Sequence, residues 1–202
     1  MIKLYGGQFS RASIVHWYLE ELGLDYEFIR LDMQAGEHRQ AAFTQVNPFG
    51  KVPGLEDGEL KLWESGAILL YLAQTYGELK RAEGAVNGES DGGSDGGSAE
   101  IAAIAIANQW ILFANATLGP GVFVETSREK EFPRLMTTLN GLLSQQDYIT
   151  GSRFTVADVA LGSMLGYIPM MLKIGFEDYP AVAAYVQRLS QREAFVKTIG
   201  NR

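Results

Sequence analysis

The 202-residue sequence has no cysteine, only two histidines, and fewer basic than acidic residues. Without cysteine the chain can form no disulfide, no Cys-ligated zinc site and no protein-thiol nucleophile, so any thiol it uses must come from a ligand. His16 and His38 are too few for a histidine-rich site, and we expect no metal centre. The net charge of −7 disfavours nucleic acid and anionic membranes as partners, because binding to both depends on clustered Lys and Arg.

Long apolar runs are also lacking. The longest, residues 101–107, is too short to cross a bilayer, so we expect no transmembrane helix. The opening MIKLY is strand-like and shows no basic segment followed by an apolar run, which argues against a signal peptide. Together with an ordinary 47% share of hydrophobic residues, these features predict a soluble, cytoplasmic protein.

The first part of the chain alternates strand-like and helix-like segments. A short β-prone run ends at Gly6-Gly7, and a helical pattern over residues 10–22 stops at Gly23. A second strand, a weakly helical stretch, a hairpin and a last helix follow, which we place at residues 26–31, 38–46, 51–63 and 64–76. A crossover through the first helix makes the first two strands parallel neighbours. The pattern therefore predicts an α/β domain with a four-stranded mixed sheet over residues 1–78.

The composition then changes. Residues 84–98 contain GESDGGSDGGS, which cannot bury a core, so we expect a flexible Gly/Ser/Asp-rich linker over residues 79–99. Calcium binding by its aspartates is the alternative, although their spacing matches no known calcium loop. Beyond the linker every segment has a helical pattern, which predicts an all-α domain over residues 100–202. Its first helix should end at Gly119-Pro120-Gly121.

Within the helical domain, Thr155 and Asp158 form a capping-box pattern. The Thr155 hydroxyl can accept from the third N–H of a helix, while the Asp158 carboxylate reaches back to the Thr155 N–H. A carboxylate here also suits the positive end of the helix dipole. We interpret Asp158 as a structural rather than a catalytic residue.

The most informative stretch for function is NPFGKVPGLEDGELKLWES. Proline is disfavoured inside a sheet, and Val52-Pro53, beside a glycine turn, is a suitable place for a cis peptide bond. Such a bend can turn the Val52 N–H and C=O outward, so that a ligand backbone could pair with them as an added strand. Val52 is therefore a candidate for binding an extended peptide.

The second half of this stretch, Glu64-Ser65, opens a helix. The Ser65 hydroxyl and the free N–H groups of the first turn suit a carboxylate, and Glu64 can accept from an ammonium group. One helix end thus offers partners for the head group of an α-amino acid. The alternative for Glu64-Ser65 alone is an ordinary capped helix.

NPFGKVPGL followed by WESGAILLYL resembles the glutathione-site signature of the cytosolic glutathione transferase superfamily, and FTVADVAL resembles its capping box. The segments LYGGQFSRASIVHWYLEELG and LDMQAGEHRQAAF are most similar to the cyanobacterial class called chi. The resemblance covers the chain apart from the linker. It implies a thioredoxin-like domain followed by a helical domain, a homodimer, and glutathione as co-substrate with no permanently bound cofactor.

The resemblance also implies roles for particular residues. Val52, preceding cis-Pro53, would pair with the cysteinyl backbone of glutathione, and Glu64 and Ser65 would hold its γ-glutamyl end. Lys51 and His38 match positions that contact the glycine end. Positive groups there suit glutathione, which carries two carboxylates.

Three residues near the end of the first strand are candidates for activating the glutathione sulfur. The superfamily's usual serine and cysteine positions fall on Phe9 and Arg11, with Ser10 between them. The thiolate is the nucleophile, and a free thiol has a pKa of about 8.5; lowering it by about 1.5 units corresponds to about 2 kcal/mol. We expect Arg11 and Ser10 to stabilise the thiolate together, with Arg11 favoured. The alternatives are that both are structural, or that Tyr5 acts instead.

The second substrate's pocket is the least defined. Phe9, Trp110 and Phe113 are candidates to line it, along with Phe123 and Tyr167, although aromatic residues on helices are more often core. The resemblance implies conjugation of glutathione to hydrophobic electrophiles such as haloaromatics and isothiocyanates. Glutathione-dependent isomerisation or peroxide reduction, and non-catalytic ligand binding, are the alternatives.

Overall fold

A computed structural model describes residues 1–7, 10–80 and 95–200 of the chain. The chain divides into two compact units. The first comprises Met1–Leu69 and the C-terminal segment that begins at Ser190, and the second is Leu70–Leu189. The predicted linker lies largely in residues 81–94, outside the described residues, and its boundaries stay a prediction.

The first unit is built on a four-stranded mixed sheet, as predicted. Its strands are β1 (Ile2–Gly6), β2 (Tyr26–Arg30), β3 (Gly54–Asp57) and β4 (Leu60–Trp63), in the order β2-β1-β3-β4. β1 pairs with β2 in parallel and with β3 in antiparallel orientation, and β3 pairs with β4 in antiparallel orientation. The parallel pair and the hairpin were both expected from the order of the elements along the chain.

The helices of the first unit form where apolar side chains recur at helical spacing. α1 (Ala12–Leu22) buries Ile14, Val15, Tyr18 and Leu19, and Gly23 ends it at a left-handed φ of 61°. The weakly helical stretch consists of a 3-10 turn (Glu37–Arg39) and α2 (Ala41–Thr44). After the hairpin comes α3 (Ser65–Thr75). α9 (Glu193–Thr198), at the C-terminal end, packs on α1.

Within the described residues, five α-helices and two π-helical segments follow α3 in the helical unit. They are α4 (Asp95–Leu112), α5 (Gly119–Phe123), α6 (Glu125–Leu143), α7 (Val156–Tyr167), α8 (Pro180–Ser190) and two π-helical segments, Phe113–Leu118 and Ile168–Leu172, which continue α4 and α7. α4 begins at Asp95, earlier than the predicted Glu100, so the end of the Gly/Ser/Asp-rich segment is helical.

The prediction that Gly119-Pro120-Gly121 ends the first helix of this unit is wrong. The chain stays helical through the π-helical segment into α5, and Pro120 lies in the first turn of α5. Gly121 is needed for packing, since a Cβ there would lie 2.9 Å from Leu135 Cδ1. The Gly-Pro-Gly cluster is a local signal for a turn, whereas the contact of Gly121 with α6 joins segments that are distant in sequence and cannot be predicted from that cluster.

Asp158 is the centre of a buried hydrogen-bond network at the start of α7. Its carboxylate accepts from the Thr155 N–H (2.9 Å), the Ile149 N–H (2.8 Å) and the Tyr185 hydroxyl (2.9 Å). Burial raises the pKa of Asp158, although these hydrogen bonds oppose the shift. The predicted capping box is present, and these contacts favour a structural role.

One helical stretch, Gly97–Phe123, is long and apolar enough to cross a membrane. This differs from the expectation of no such helix, because alanine and glycine keep the stretch apolar between its few polar residues. Length and composition alone do not distinguish it from an apolar helix of a soluble protein. Several of its large side chains are exposed, including Ile101 at 70% and Leu112 at 61%.

Candidate functional site

The register of the sheet brings three of the predicted segments to one edge. Gly54 pairs with both Tyr5 and Trp63, so the end of β1, the start of β3 and the end of β4 are neighbours. Val52-Pro53 immediately precedes β3, and Glu64-Ser65 immediately follows β4. Residues separated by more than fifty positions in sequence therefore meet at the same end of the sheet.

The Val52-Pro53 peptide bond is cis, as predicted. Neither the Val52 N–H nor its C=O has a hydrogen-bond partner within residues 1–7, 10–80 and 95–200. Pro53 itself is buried. Val52 thus offers an open donor and acceptor beside the sheet, which is the arrangement that an extended peptide ligand needs.

Glu64 and Ser65 form the start of α3. Glu64 has a φ of 68°, in the left-handed region that non-glycine residues rarely adopt. Its C=O accepts from the Ile68 N–H (3.0 Å), so Glu64 is the residue from which the helix begins. Ser65 is buried while the Glu64 side chain is exposed. The first-turn N–H groups and the Ser65 hydroxyl make this end suited to an anion.

The loop before the cis bond is held in a tight turn by Asn47. Its Oδ1 accepts from the Phe49 N–H (3.0 Å), and its C=O accepts from the Gly50 N–H (3.0 Å). Gly50 has a φ of 59°, and a Cβ there would lie 2.9 Å from the His38 C=O. The loop therefore lies directly against the 3-10 turn, which brings His38 close to the segment that carries Lys51.

This contact adds a residue that the sequence reasoning missed. Arg39 also lies against Gly50, with its Cγ 3.7 Å from the position of a Cβ. Neither Arg39 nor Lys51 forms an ion pair with the part of the chain that the structure describes, and the buried His38 Nδ1 has no hydrogen-bond partner there. The only sequence signal for Arg39 is its position next to His38. In a chain of net charge −7, the Arg39 and Lys51 cations together with the His38 imidazole make up a patch of hydrogen-bond donors, which we call the cationic patch.

Ser10 lies in the turn between β1 and α1. Its hydroxyl donates to the Gly7 C=O (2.8 Å) and accepts from the N–H groups of Gly7 (3.2 Å) and Ala12 (3.3 Å). These bonds give Ser10 a structural role at the start of the helix. The hydroxyl would have to leave the Gly7 C=O in order to donate to a ligand sulfur.

Arg11 immediately precedes α1 and is exposed. Its backbone is already helical, with a φ of −63°, and its side chain makes no capping bond to the helix. The guanidinium is a permanent cation at the helix end nearest β1. Arg11 therefore has a charge that suits a thiolate, at the edge where the other predicted residues meet.

Tyr5, the third candidate for activating a thiol, is engaged elsewhere. Its hydroxyl donates to the Glu56 carboxylate (2.6 Å), and its ring packs against Phe43 at 5.6 Å. Burial, followed by the hydrogen bond and charge of Glu56, raises the pKa of Tyr5 to about 12. These contacts favour a packing role.

The electrophile-pocket residues belong to the helical unit or lie outside the described residues. Phe9 falls outside them. Trp110 and Phe113 meet edge to face at 5.5 Å and line a pocket of about 180 Å³ between α4, its π-helical continuation and α6. Tyr167 is buried in the core of the helical unit, and Phe123 is half-buried. Trp110 and Phe113 therefore share a pocket.

No group of three His, Asp or Glu residues in the described ranges could hold a metal ion. The groups at this edge of the sheet are backbone N–H and C=O groups, hydroxyls and cations. Together they offer partners for two carboxylates, an ammonium group and a peptide backbone. A short zwitterionic peptide matches this set of groups.

Two regions of the chain match family models. Residues 1–74 match the N-terminal domain of glutathione S-transferase, and residues 125–188 match its C-terminal domain. Among curated proteins, a glutathione S-transferase from Silene vulgaris is 30% identical over 209 residues, covering 98% of this chain and 96% of the relative. One from Hyoscyamus muticus is 28% identical over 219 residues, covering 98% and 97%.

Solved structures show the same similarity. A glutathione transferase from Populus trichocarpa superposes with a TM-score of 0.77 at 27% identity, covering 99% of this chain and 98% of that one. The theta class enzyme from Xanthomonas axonopodis pv. citri, crystallised with glutathione bound, gives 0.75 at 27% identity, covering 98% and 96%. The similarity thus extends over both units and over nearly the whole chain.

Proposed function

Because this chain belongs to the glutathione S-transferase family and is a glutathione transferase, we propose that it conjugates glutathione to hydrophobic electrophiles such as haloaromatics and isothiocyanates. One observation carries the proposal. The open Val52 backbone, the start of α3 and the cationic patch of His38, Arg39 and Lys51 adjoin one edge of the sheet. The distribution of these groups matches a tripeptide with a carboxylate at each end.

Each part of glutathione has a partner in this proposal. The cysteinyl backbone pairs with Val52 as an added strand would. Glu64 accepts from the γ-glutamyl ammonium, and Ser65 with the first-turn N–H groups of α3 binds the neighbouring carboxylate. His38, Lys51 and Arg39 hold the glycine carboxylate. The sulfur then lies toward the end of β1 and the start of α1.

We assign thiolate stabilisation mainly to Arg11. The Ser10 hydroxyl already donates to the Gly7 C=O, whereas the Arg11 guanidinium carries a permanent positive charge at the same helix end. A cation and a helix N-terminus both favour the thiolate over the thiol. Ser10 would mainly order the turn that presents Arg11.

The test compares Arg11→Ala with Ser10→Ala. We expect Arg11→Ala to raise the apparent pKa of bound glutathione by about 1 unit and to lower kcat/KM near neutral pH about tenfold, since one unit corresponds to about 1.4 kcal/mol. Ser10→Ala should lower thermal stability and shift the pKa less. Both effects are measured from pH profiles of conjugation and from the thiolate absorbance of the glutathione complex.

Arg153→Ala, at an exposed position in the helical unit, is the control for loss of one arginine away from this edge of the sheet. If Arg11→Ala and Arg153→Ala give the same pH profile, Arg11 does not stabilise the thiolate. If calorimetry detects no glutathione binding to the folded wild-type protein, the whole site assignment is wrong.

Two other activities remain alternatives on the same site: glutathione-dependent isomerisation and peroxide reduction. Assays with a chromogenic aryl halide, an isothiocyanate and a hydroperoxide separate them from conjugation. The apolar pocket of Trp110 and Phe113 supports a hydrophobic second substrate. Glutathione binding without turnover of any of these compounds would instead favour a ligand-binding protein.

We also propose that the protein is a chi-like member of its family and forms a homodimer. The class rests on the resemblance of the first 45 residues, including LDMQAGEHRQAAF. The dimer is supported by large apolar side chains of α4 that are exposed in the single chain, among them Ile101 and Leu112. A second copy covering this face would remove it from water.

A further inference from the structure

The last turn of α1 carries charges of the sign that its helix dipole disfavours. Glu20 and Glu21 are the two residues before Leu22, the last residue of the helix, and this turn contains no basic residue. Carboxylates at a helix C-terminus interact unfavourably with its partial negative charge. Compensating cations must therefore come from outside the helix.

α9 and the residue before it supply those cations. Arg192 binds the Glu21 carboxylate through two hydrogen bonds, from Nε (2.7 Å) and Nη2 (2.6 Å). The Glu21 side chain is only 11% exposed, so this ion pair is shielded from water. Two-pronged arginine–carboxylate pairs are stronger and more directional than ordinary surface ion pairs. Lys197 lies 3.8 Å from Glu20 in a weaker pair.

An aromatic contact lies beneath the ion pair. The indole N–H of Trp17 donates to the same Glu21 carboxylate (2.7 Å), and the Trp17 ring meets Phe195 edge to face at 5.0 Å. Trp17 is completely buried. Glu21 therefore accepts hydrogen bonds from Trp17 on its own helix and from Arg192, the residue before α9. This carboxylate links α1 to the start of α9.

The opposite end of α1 presses on the end of β1. A Cβ at Gly6 would clash with Ala12, the first residue of α1. The Ala12 N–H also donates to Ser10 Oγ, which bonds in turn to Gly7. The helix spans about 16 Å at 1.5 Å per residue, and a shift along it would disturb this turn. The position of Arg11 thus depends on where α1 is held.

We propose that Arg192 is a positioning residue for the reaction: by binding Glu21 it holds α1 where Arg11 and Ser10 meet the sulfur. This proposal rests on the proposed function, since it acts through Arg11 and Ser10. Rigid secondary structure of this kind can transmit a modest coupling between its two ends. Arg192 does not touch the ligand.

The test uses Arg192→Gln in the full-length protein. We expect faster hydrogen exchange at the first amides of α1, a higher apparent pKa of bound glutathione and a kcat/KM about three- to tenfold lower near neutral pH. The KM for the electrophile should stay unchanged.

Arg188→Gln is the matched control, since Arg188 forms an arginine–carboxylate pair with Asp147 at 3.1 Å in the helical unit. Arg192→Lys, which keeps a positive charge beside Glu21 but cannot form the two-pronged pair, should lose less of the rate than Arg192→Gln. An Arg192→Gln pH profile identical to that of Arg188→Gln overturns the proposal. So does faster exchange in α1 without a change in the pH profile. Arg11→Ala still tests the proposed function separately, because it removes the activating group itself.

Discussion

At the scale of single residues, Gly50 shows how one position can determine a binding loop. Its positive φ favours glycine, and the His38 C=O leaves no room for a side chain. Gly58, in the turn of the hairpin, has the same φ of 59° but no heavy atom within 4 Å of a Cβ. Substitutions at the two glycines therefore distinguish the effect of backbone strain, which both positions share, from the effect of close packing, which is present only at Gly50.

We predict that Gly50→Ala weakens glutathione binding about tenfold, because the loop must move away from the 3-10 turn and take Lys51 away from His38; a tenfold change corresponds to about 1.4 kcal/mol. Gly58→Ala should lower stability by about 1 kcal/mol through the same backbone strain while leaving binding intact. Calorimetric titration with glutathione and urea unfolding measure the two effects. Equal affinities for the two variants would contradict the assignment of the cationic patch.

Residue type alone did not decide which group could activate the thiol. Ser10, Arg11 and Tyr5 were all suitable in the sequence. The structure adds that the Ser10 hydroxyl bonds to Gly7 and that the Tyr5 hydroxyl bonds to Glu56, 51 positions away in sequence. Such a partner is set by sheet register, which no local pattern contains. Arg39 was missed for the same reason, because its proximity to Gly50 is a tertiary contact.

At the scale of elements, the packing of α1 on β2 includes a histidine. His16 stacks on Phe28 at 4.9 Å and meets Tyr26 edge to face at 5.5 Å. Burial lowers the pKa of His16, and the charge of Glu20 opposes the shift only partly. The folded protein therefore favours neutral His16 more than the unfolded chain does.

This shift predicts a pH-dependent stability. Because the folded pKa lies below the unfolded value of about 6.5, the contribution of His16 is fully present above that pH and is lost as the pH falls through the folded pKa. The wild-type free energy of unfolding should decrease from pH 7 to pH 5 more steeply than that of His16→Gln. Urea unfolding at pH 5, 6 and 7 measures the slopes. Parallel slopes would show that His16 does not titrate differently in the two states.

Most elements could be predicted because their signals are local. The four strands occur in the predicted order, Gly23 ends α1, and Val52-Pro53 is cis. The continuation of α4 past Gly119 was not predictable, since a glycine–proline cluster usually ends a helix. Here Gly121 packs against Leu135 of α6 and the chain remains helical.

At the scale of the whole molecule, exposed apolar side chains follow α4. Ile101 and Leu112 are 70% and 61% exposed, and because they are about three helical turns apart they lie on one face of α4. Exposed apolar patches of this kind mark interaction sites, and a second copy of the chain could bury this one through a two-fold symmetric contact. This face is where we place the contact of the proposed homodimer.

We predict that the wild-type protein sediments as a dimer at micromolar concentration and that Leu112→Glu sediments as a monomer, because a buried charge without a partner opposes association. Met171→Glu, at a 63% exposed position outside α4, is the control and should remain dimeric. Sedimentation velocity distinguishes the two. A monomeric wild type that pellets with lipid vesicles would instead assign the apolar face of α4 to a membrane.

Local sequence signals are enough to predict the order of strands and helices, the bend at Val52-Pro53, the capping box at Thr155, and the need for a thiol from outside a chain without cysteine. These features follow from the periodicity of apolar side chains, from the chemistry of proline and from composition, none of which depends on contacts between distant segments. The tertiary structure alone decided which hydroxyls were already bonded, that Arg39 joins His38 and Lys51, and that Arg192 shares Glu21 with Trp17. Those outcomes depend on register and packing between distant segments, where the free energy comes from contacts that no stretch of sequence contains.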